Sequence, residues 1–472
     1  MRKIITMLVA FALIGLSARG QMQTNHWFFG GGAGLVFNGG HPVADTTGAL
    51  GAEEGCAAIS DSIGHLLFYT NGVTVWNKNN QIMSNGDSLW GDLLSLSSTQ
   101  AAIIIPQPSS NTIYYIFTVS GQAGIWGGFG GIAYSVVDMS LQGGLGAVTI
   151  KNDSLLSKST EQICAVKHAN GTDIWVMGQQ WGTNSKYAWS VTSSGINTTP
   201  VISNIGTSHN DSINDDGGAQ GTMKFSSDGS KLASSISQDG IIDIFDFDNS
   251  SGVVSNVITL DSSLDAYGVE FSPDGKKLYS SGWNSQLYQW DLTTWNHQTI
   301  NNSQTLIHQT PFSPTMHIML QLQLGMDCRI YVAKEESDTL GVIEDPNQPG
   351  LLCNYNDTAL SLAGRQSQSG LPSFISSYFN VCNSEGINSV KVLSFLSLYP
   401  NPTTSLLTLS LPNTNQKATI NLYDMLGEKV LPSYSTSSTQ STIDLSHLPQ
   451  GIYFLEVLMD GEKQVRKVVK IN

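Results

Sequence analysis

The sequence predicts an all-β protein: a seven-bladed β-propeller followed by a small immunoglobulin-like β-sandwich. The first observation is an internal repeat. Residues 223–244 (MKFSSDGSKLASSISQDGIIDI) align with residues 269–288 (VEFSPDGKKLYSSGWNSQLY) at an offset of 46, placing Phe225, Ser226, Asp228, Gly229 and Leu232 on Phe271, Ser272, Asp274, Gly275 and Leu278. Each unit reads as a strand, a Ser-x-Asp-Gly turn, a second strand, and a third ending in aromatic-Asp (Phe245-Asp246, Trp290-Asp291). Asp-Gly supplies the positive φ of a tight hairpin, and short strands repeating every ~40–50 residues are the signature of a propeller blade. The second observation is composition: only 12% of the 472 residues are charged and 47 are Gly, as suits an exported β protein better than a cytosolic helical enzyme. The third is a break in the pattern near residues 383–394, after which strands of period two run to the end.

In chain order, residues 1–20 have the three parts of a secretory signal. Arg2 and Lys3 are basic, residues 4–16 are apolar, and Ala18 and Gly20 stand at −3 and −1 of a cut before Gln21. Thirteen apolar residues are too few to span a bilayer. No other segment is long and apolar enough to do so, and no Cys precedes Cys56 to carry a lipid at the leader. Export without integral membrane insertion is expected.

Residues 21–382 form the propeller. Unit starts at Ile59, Ile105, Val166, Phe225, Phe271 and Leu324 are spaced 46, 61, 59, 46 and 53 apart, which makes six blades. In the sixth, Asp327 keeps the turn position and Cys328 replaces the usual Gly. A hairpin at residues 26–38 lacks an inner strand, and residues 371–379 (LPSFISSYF) read as an inner strand lacking partners; joining them closes a seventh blade and removes the sheet edges. Six or eight blades also fit the spacing. Residues 383–394 are a linker, and residues 395–472 alternate as a sandwich does.

Charge is uneven. Residues 21–394 hold 13 Lys/Arg against 31 Asp/Glu, and the tail from Phe395 is neutral. An acidic body argues against nucleic acid or an anionic membrane as a partner, and solubility is the plainest use of the charge. Of five cysteines, Cys328 and Cys353 flank one blade's outer hairpin and are the candidate disulfide, while Cys56 and Cys164 read as buried small hydrophobes.

No GxSxG, HExxH, P-loop or CxxC motif occurs, so no catalytic residue is assigned. His297, His308 and His317 are spaced as loop histidines, not as metal ligands, and no cofactor is expected. Calcium is left open at two acidic loops, residues 211–217 (DSINDDG) and 246–252 (DFDNSSG), although the second lacks the Gly and distal Glu of a full calcium loop. Arg365 lies in a loop (AGRQSQSG) that should reach the channel rim, as a ligand contact or as a bridge to an Asp. Trp126, Trp181 and Trp283, with Trp90 and Trp295, fall in expected loops, where tryptophan serves sugar or protein recognition or packs between blades.

The tail resembles the type A C-terminal sorting domain of the type IX secretion system of Bacteroidota. The likeness rests on Tyr399-Pro400-Asn401-Pro402, the Leu422–Gly427 strand and turn (LYDMLG), the Leu448–Tyr453 run (LPQGIY) with Gly451, and a basic last strand with Lys470. The resemblance implies handling by that machinery, passage through the outer membrane, and either release or attachment to surface lipopolysaccharide. The body is similar to surface propellers of the same bacteria with WD40- and YVTN-like repeats, through Ser98-Thr99-Gln100, residues 114–118 (YYIFT), Val166-Lys167-His168 and Gly370-Leu371-Pro372. That likeness implies the fold and no activity. Three functions stay open: a non-catalytic module binding protein or glycan, a structural adhesin or gliding-associated component, and an extracellular glycan-active hydrolase or lyase whose scattered residues leave no motif.

Overall fold

The computed structural model describes residues 22–471 except 38–40, 93–95, 122–129, 210–217, 238, 262–264, 312–316, 384–396, 412–416, 426 and 460–461. The leader, most of the linker and the 211–217 loop therefore lie outside the described residues. Two compact units divide the chain, Met1–Asn383 and Ser384–Asn472.

Among the described residues the first unit shows seven small antiparallel sheets, each built from strands in sequence order. Sheets 2 to 7 begin with Ala57–Ser60, Ala102–Pro106, Ser159–Lys167, Met223–Phe225, Ala266–Phe271 and Met319–Leu324. These are the six units read from the sequence. In the guide repeats the Asp228 and Asp274 carboxylates accept from their turns (Ser230 N and Lys276 N, both 3.0 Å), and Gly229 and Gly275 follow at φ 72° and 68°. Cys328 takes the same place at φ 66°, so a residue with a side chain sits where the backbone favours Gly.

The leads into the first strands are stitched around the axis. Gly55 N donates to Ser98 O (2.9 Å), Gln100 N to Glu161 O (3.1 Å), Glu161 N to Ala219 O (2.9 Å) and Thr222 N to Tyr267 O (2.9 Å). Ser281 Oγ donates to Leu320 O across the next junction. The ring closes through the end of the unit: Gln321 N donates to Ser369 O (3.1 Å) and Ser369 N to Glu53 O (2.9 Å). Gly370 is needed here, because a Cβ would lie 2.0 Å from the Glu54 carbonyl oxygen.

The closing segment differs from the expected inner strand. Sheet 1 (His26–Phe29, Ala33–Val36, Val43–Ala44) starts beside the first turn of sheet 2, where Asn25 Nδ2 donates to Gly64 O. It reaches the opposite end at Gly31, which donates to Gln366 O. His26–Phe29 thus occupies a second-strand place, and residues 369–373 fill the innermost place between sheets 7 and 2. Among the described residues they form no ladder with sheet 1: Gln366, just before them, bridges Gly31 and Gly32, and Pro372 bridges Cys56. Beyond Ser373 the chain leaves that place, pairs at Ile375 with Ala165 of sheet 4, and turns into a 3₁₀ segment, Ser376–Asn383. Apolar Phe374 and Phe379, together with Ser376, seat against Lys224, Glu270 and Gln323 of sheets 5 to 7. There Lys224 pairs with Glu270 at 3.3 Å. The end of the unit therefore crosses the channel as a plug.

A second correction follows from the plug. Cys328 is bonded to Cys382, with Cα atoms 5.6 Å apart, and Cys353 is a free, buried thiol. Cys328 lies in the first turn of sheet 7 and Cys353 in its third. Two strand spacings, about 10 Å, separate those turns, beyond the roughly 7 Å that a disulfide can bridge. Cys382, at the end of the plug, comes to the first turn instead.

The second unit packs a three-stranded sheet (Ser397–Tyr399, Leu406–Ser410, Gln440–Asp444) on a four-stranded one (Ala418–Tyr423, Tyr434–Thr436, Gly451–Met459, Glu462–Lys470). Leu407, Leu409, Ile420, Leu422, Leu455 and Val468 alternate inward to form its core.

Candidate functional site

Three loops of the first unit meet at the ring's seam: residues 30–32 of sheet 1, residues 335–338 of sheet 7, and the closing loop 362–368. Backbone bonds zip them together, Ser367 N to Ser337 O (2.7 Å), Leu362 N to Asp338 O (2.8 Å) and Gly31 N to Gln366 O (2.9 Å). They enclose an open recess of about 430 Å³ lined by Gly31, His317, Glu336, Asp338, Arg365 and Gln366. Arg365 is exposed; its Nη2 donates to Thr46 O (3.0 Å), and it makes no ion pair among the described residues. The bridge to an Asp considered from sequence is absent there. His317 Nδ1 lies 2.8 Å from the Glu335 carbonyl oxygen, which makes Nδ1 the donor of that bond. Burial, with Glu336 and Glu53 nearby, raises the Glu335 carboxyl above the usual carboxylate range. Imidazole, guanidinium and carboxylates thus converge in one open pocket.

The expected tryptophans do not gather here. Trp181 is buried, with Lys158 Nζ 4.9 Å from its ring centre. Trp283 is half-buried, donates to Ser237 Oγ (3.1 Å) and packs edge-on to Tyr267 at 5.6 Å. Trp126 lies outside the described residues. The three histidines are dispersed: His297 faces Asn301, His308 faces Tyr355, and His317 alone enters the recess. In the 246–252 loop, Asp246 pairs with Lys231 and Asn256, and Asp248 caps its own turn through Ser250 and Ser251, which hold its carboxyl down at about 2.

Sequence reading missed a second polar site on the axis. Glu54 and Glu161 are buried in the stitched ring with Thr99 and Tyr267. Glu161 Oε2 accepts from Thr99 N (2.9 Å) and Thr99 Oγ1 (2.8 Å). Burial first, and then the Glu161 charge, raise the Glu54 carboxyl well above the usual range. One signal was available: both acids stand five residues before a unit start, Ile59 and Val166.

The sorting-motif residues meet along the last strand of the second unit. Asn401 Nδ2 donates to Lys467 O (2.7 Å), Val469 N donates to Asn401 Oδ1 (2.9 Å), and Thr403 bridges Lys470. Tyr453 donates to Pro449 O (2.7 Å), and Gly427 turns at φ 82°.

Fold and motif together define an exported β-propeller carrying a secretion tag. Residues 397–472 match the family described as the secretion system C-terminal sorting domain. The protein is secreted to the cell surface or beyond it, and no described helix is long and apolar enough to cross a membrane. No curated protein matches the chain. Among solved structures, it is similar to a candidate 6-phosphogluconolactonase from Bacteroides uniformis (11% identity, 83% of this chain and 98% of that one, TM-score 0.37). Another from Bacteroides fragilis has 10% identity, 82% and 97% coverage and a TM-score of 0.38. The periplasmic gluconolactonase of Pseudomonas aeruginosa has 11%, 84% and 95%, and 0.36. At such scores these likenesses carry no argument about activity.

Proposed function

We propose that the propeller is a non-catalytic binding module, delivered by the type IX route and then released or held on surface lipopolysaccharide, and that it takes a glycan or a protein loop in the seam recess. The observation that carries this reading is Arg365, an exposed guanidinium with no ion pair among the described residues, set opposite Glu336 and Asp338 on a rigid three-loop frame. Donors and acceptors placed face to face suit a hydroxyl-rich or mixed-charge ligand. Full chain and an Arg365→Ala variant would be compared on a glycan array and in pull-downs from the native cell surface. A roughly tenfold or greater loss of binding with an unchanged unfolding midpoint is expected; undiminished binding by the variant would overturn the recess as the site.

A second reading, an extracellular hydrolase or lyase, is favoured by His317, Glu336, Asp338 and Arg365 meeting in one recess. Turnover of any bound glycan, abolished in Glu336→Gln or Asp338→Asn with binding retained, would establish it.

A further inference from the structure

One position of the repeat carries polar chemistry in half of the six units. The residue before each unit start is Ala58, Ile104 and Ala165 in sheets 2 to 4, but Lys224, Glu270 and Gln323 in sheets 5 to 7. All three polar residues are buried, at 5%, 4% and 2% exposure. Lys224 Nζ donates to Gln323 Oε1 and lies 3.3 Å from Glu270 Oε2. Phe271 N donates to Glu270 Oε1 and Leu324 N to Glu270 Oε2, both at 3.1 Å, which holds the carboxyl in place. Gln323 Nε2 donates to Leu324 O at 2.9 Å, leaving its Oε1 to the lysine. Phe374 and Phe379 of the plug cover the cluster, beside a void of about 10 Å³, the room of one water-sized molecule. Burial raises the Glu270 carboxyl above the usual carboxylate range, against the opposing pull of Lys224. An amine, a carboxamide and an acid able to hold a proton are thus locked together and screened from water.

We propose that Lys224 and Gln323 join in an intramolecular isopeptide bond, with Glu270 as the proton relay. Lys224 passes a proton to Glu270, and the freed amine attacks Cδ of Gln323, one bond from the oxygen it already touches. The Nζ–Cδ bond forms and the Cδ–Nε2 bond breaks. Glu270 gives its proton to the departing nitrogen and takes one back from Nζ. One ammonia leaves, an amide N–H remains, and no oxidant or outside reactant is consumed. Fixed juxtaposition of the three groups replaces the activation that an amide otherwise needs. The bond staples sheet 5 to sheet 7 across sheet 6, between residues 99 apart in sequence. It forms once the ring has closed and the plug has seated, and it is separate from the seam recess.

The folded full chain is reduced, denatured and digested, and its peptides are read by mass spectrometry. Expected is one branched peptide carrying Lys224 and Gln323, lighter by one ammonia than the sum of its two parts and uncut by trypsin after Lys224. Intact mass alone does not decide, because an N-terminal Gln also loses ammonia when it cyclises. The branched peptide should be absent from Glu270→Gln and Lys224→Met. On a reducing, denaturing gel, wild type should run ahead of both variants, since a joined chain cannot extend fully. Separate, unmodified Lys224 and Gln323 peptides from folded wild type overturn the proposal, and that reading requires no variant to fold. A branched peptide that persists in Glu270→Gln overturns the relay role of Glu270.

Discussion

Glu54 shows how one carboxyl can tie the fold to its surroundings. Burial and the Glu161 charge keep it protonated in the folded chain at pH values where the unfolded chain ionises it. The folded state then binds the extra proton, so Glu54's contribution to stability is complete below its ordinary pKa and is lost as pH rises toward the raised one. The unfolding free energy of wild type relative to Glu54→Gln should fall as pH rises above about 4.5, by at most about 1.4 kcal/mol per pH unit. Urea melts at a series of pH values measure this, and a difference constant with pH would mean that Glu54 is ionised in the fold. Taking the difference cancels the same-signed contributions of the buried Glu270 and half-buried Glu335 carboxyls. At this scale the sequence was only partly legible. Arg365 could be found because its loop leads into the closing segment. Glu54 reads as one more acid in a Glu-Glu pair, because its partner stands 107 positions away and only the ring brings them together.

Among the elements, the Asp-Gly hairpins were legible because turn chemistry is local, whereas the plug was not. Residues 371–379 have the apolar content of an inner strand and begin in that place, yet their partners are Cys56, Ala165 and the sheet 5–7 leads, all contributed from elsewhere in the chain. The same non-locality misdirected the disulfide assignment, since Cys382 is distant in sequence from the hairpin it reaches. The Cys328–Cys382 bond closes a loop of 54 residues and fixes the plug to sheet 7. Loop-closure entropy for that length is worth roughly 4 kcal/mol as an upper figure, with about 2–4 typical. Cys328→Ser/Cys382→Ser should therefore lower the unfolding free energy obtained from urea melts by about 2–4 kcal/mol, and wild type in reductant should match it. Cys353→Ser should respond to reductant as wild type does. Equal midpoints for oxidised wild type and the double variant would mean that the plug is held by packing alone.

The first unit is a ring whose last junction is made by its own final residues, so cuts before and after that segment should differ in what they do. The tail's core contains only residues of the second unit, and the propeller's clusters contain none of them. Ending the chain at residue 383 should therefore leave a propeller that unfolds cooperatively at the full-length midpoint while its export fails, because the tag is gone. Ending it at residue 368 removes Ser369, which bridges Gln321 and Glu53, and Ser373, whose N–H donates to Cys56 O at 2.8 Å. It also strips Leu371, Phe374 and Phe379 from the core shared by sheets 1, 2 and 7, about 2 kcal/mol or more for each buried apolar side chain. Against a typical domain stability of about 5–15 kcal/mol, that loss is decisive. The shorter chain should show no cooperative melt by calorimetry and should bind a hydrophobic dye. If the 368-residue chain melts as sharply as the 383-residue one, the ring is closed by sheet 1 packing alone and the plug is an accessory of the channel.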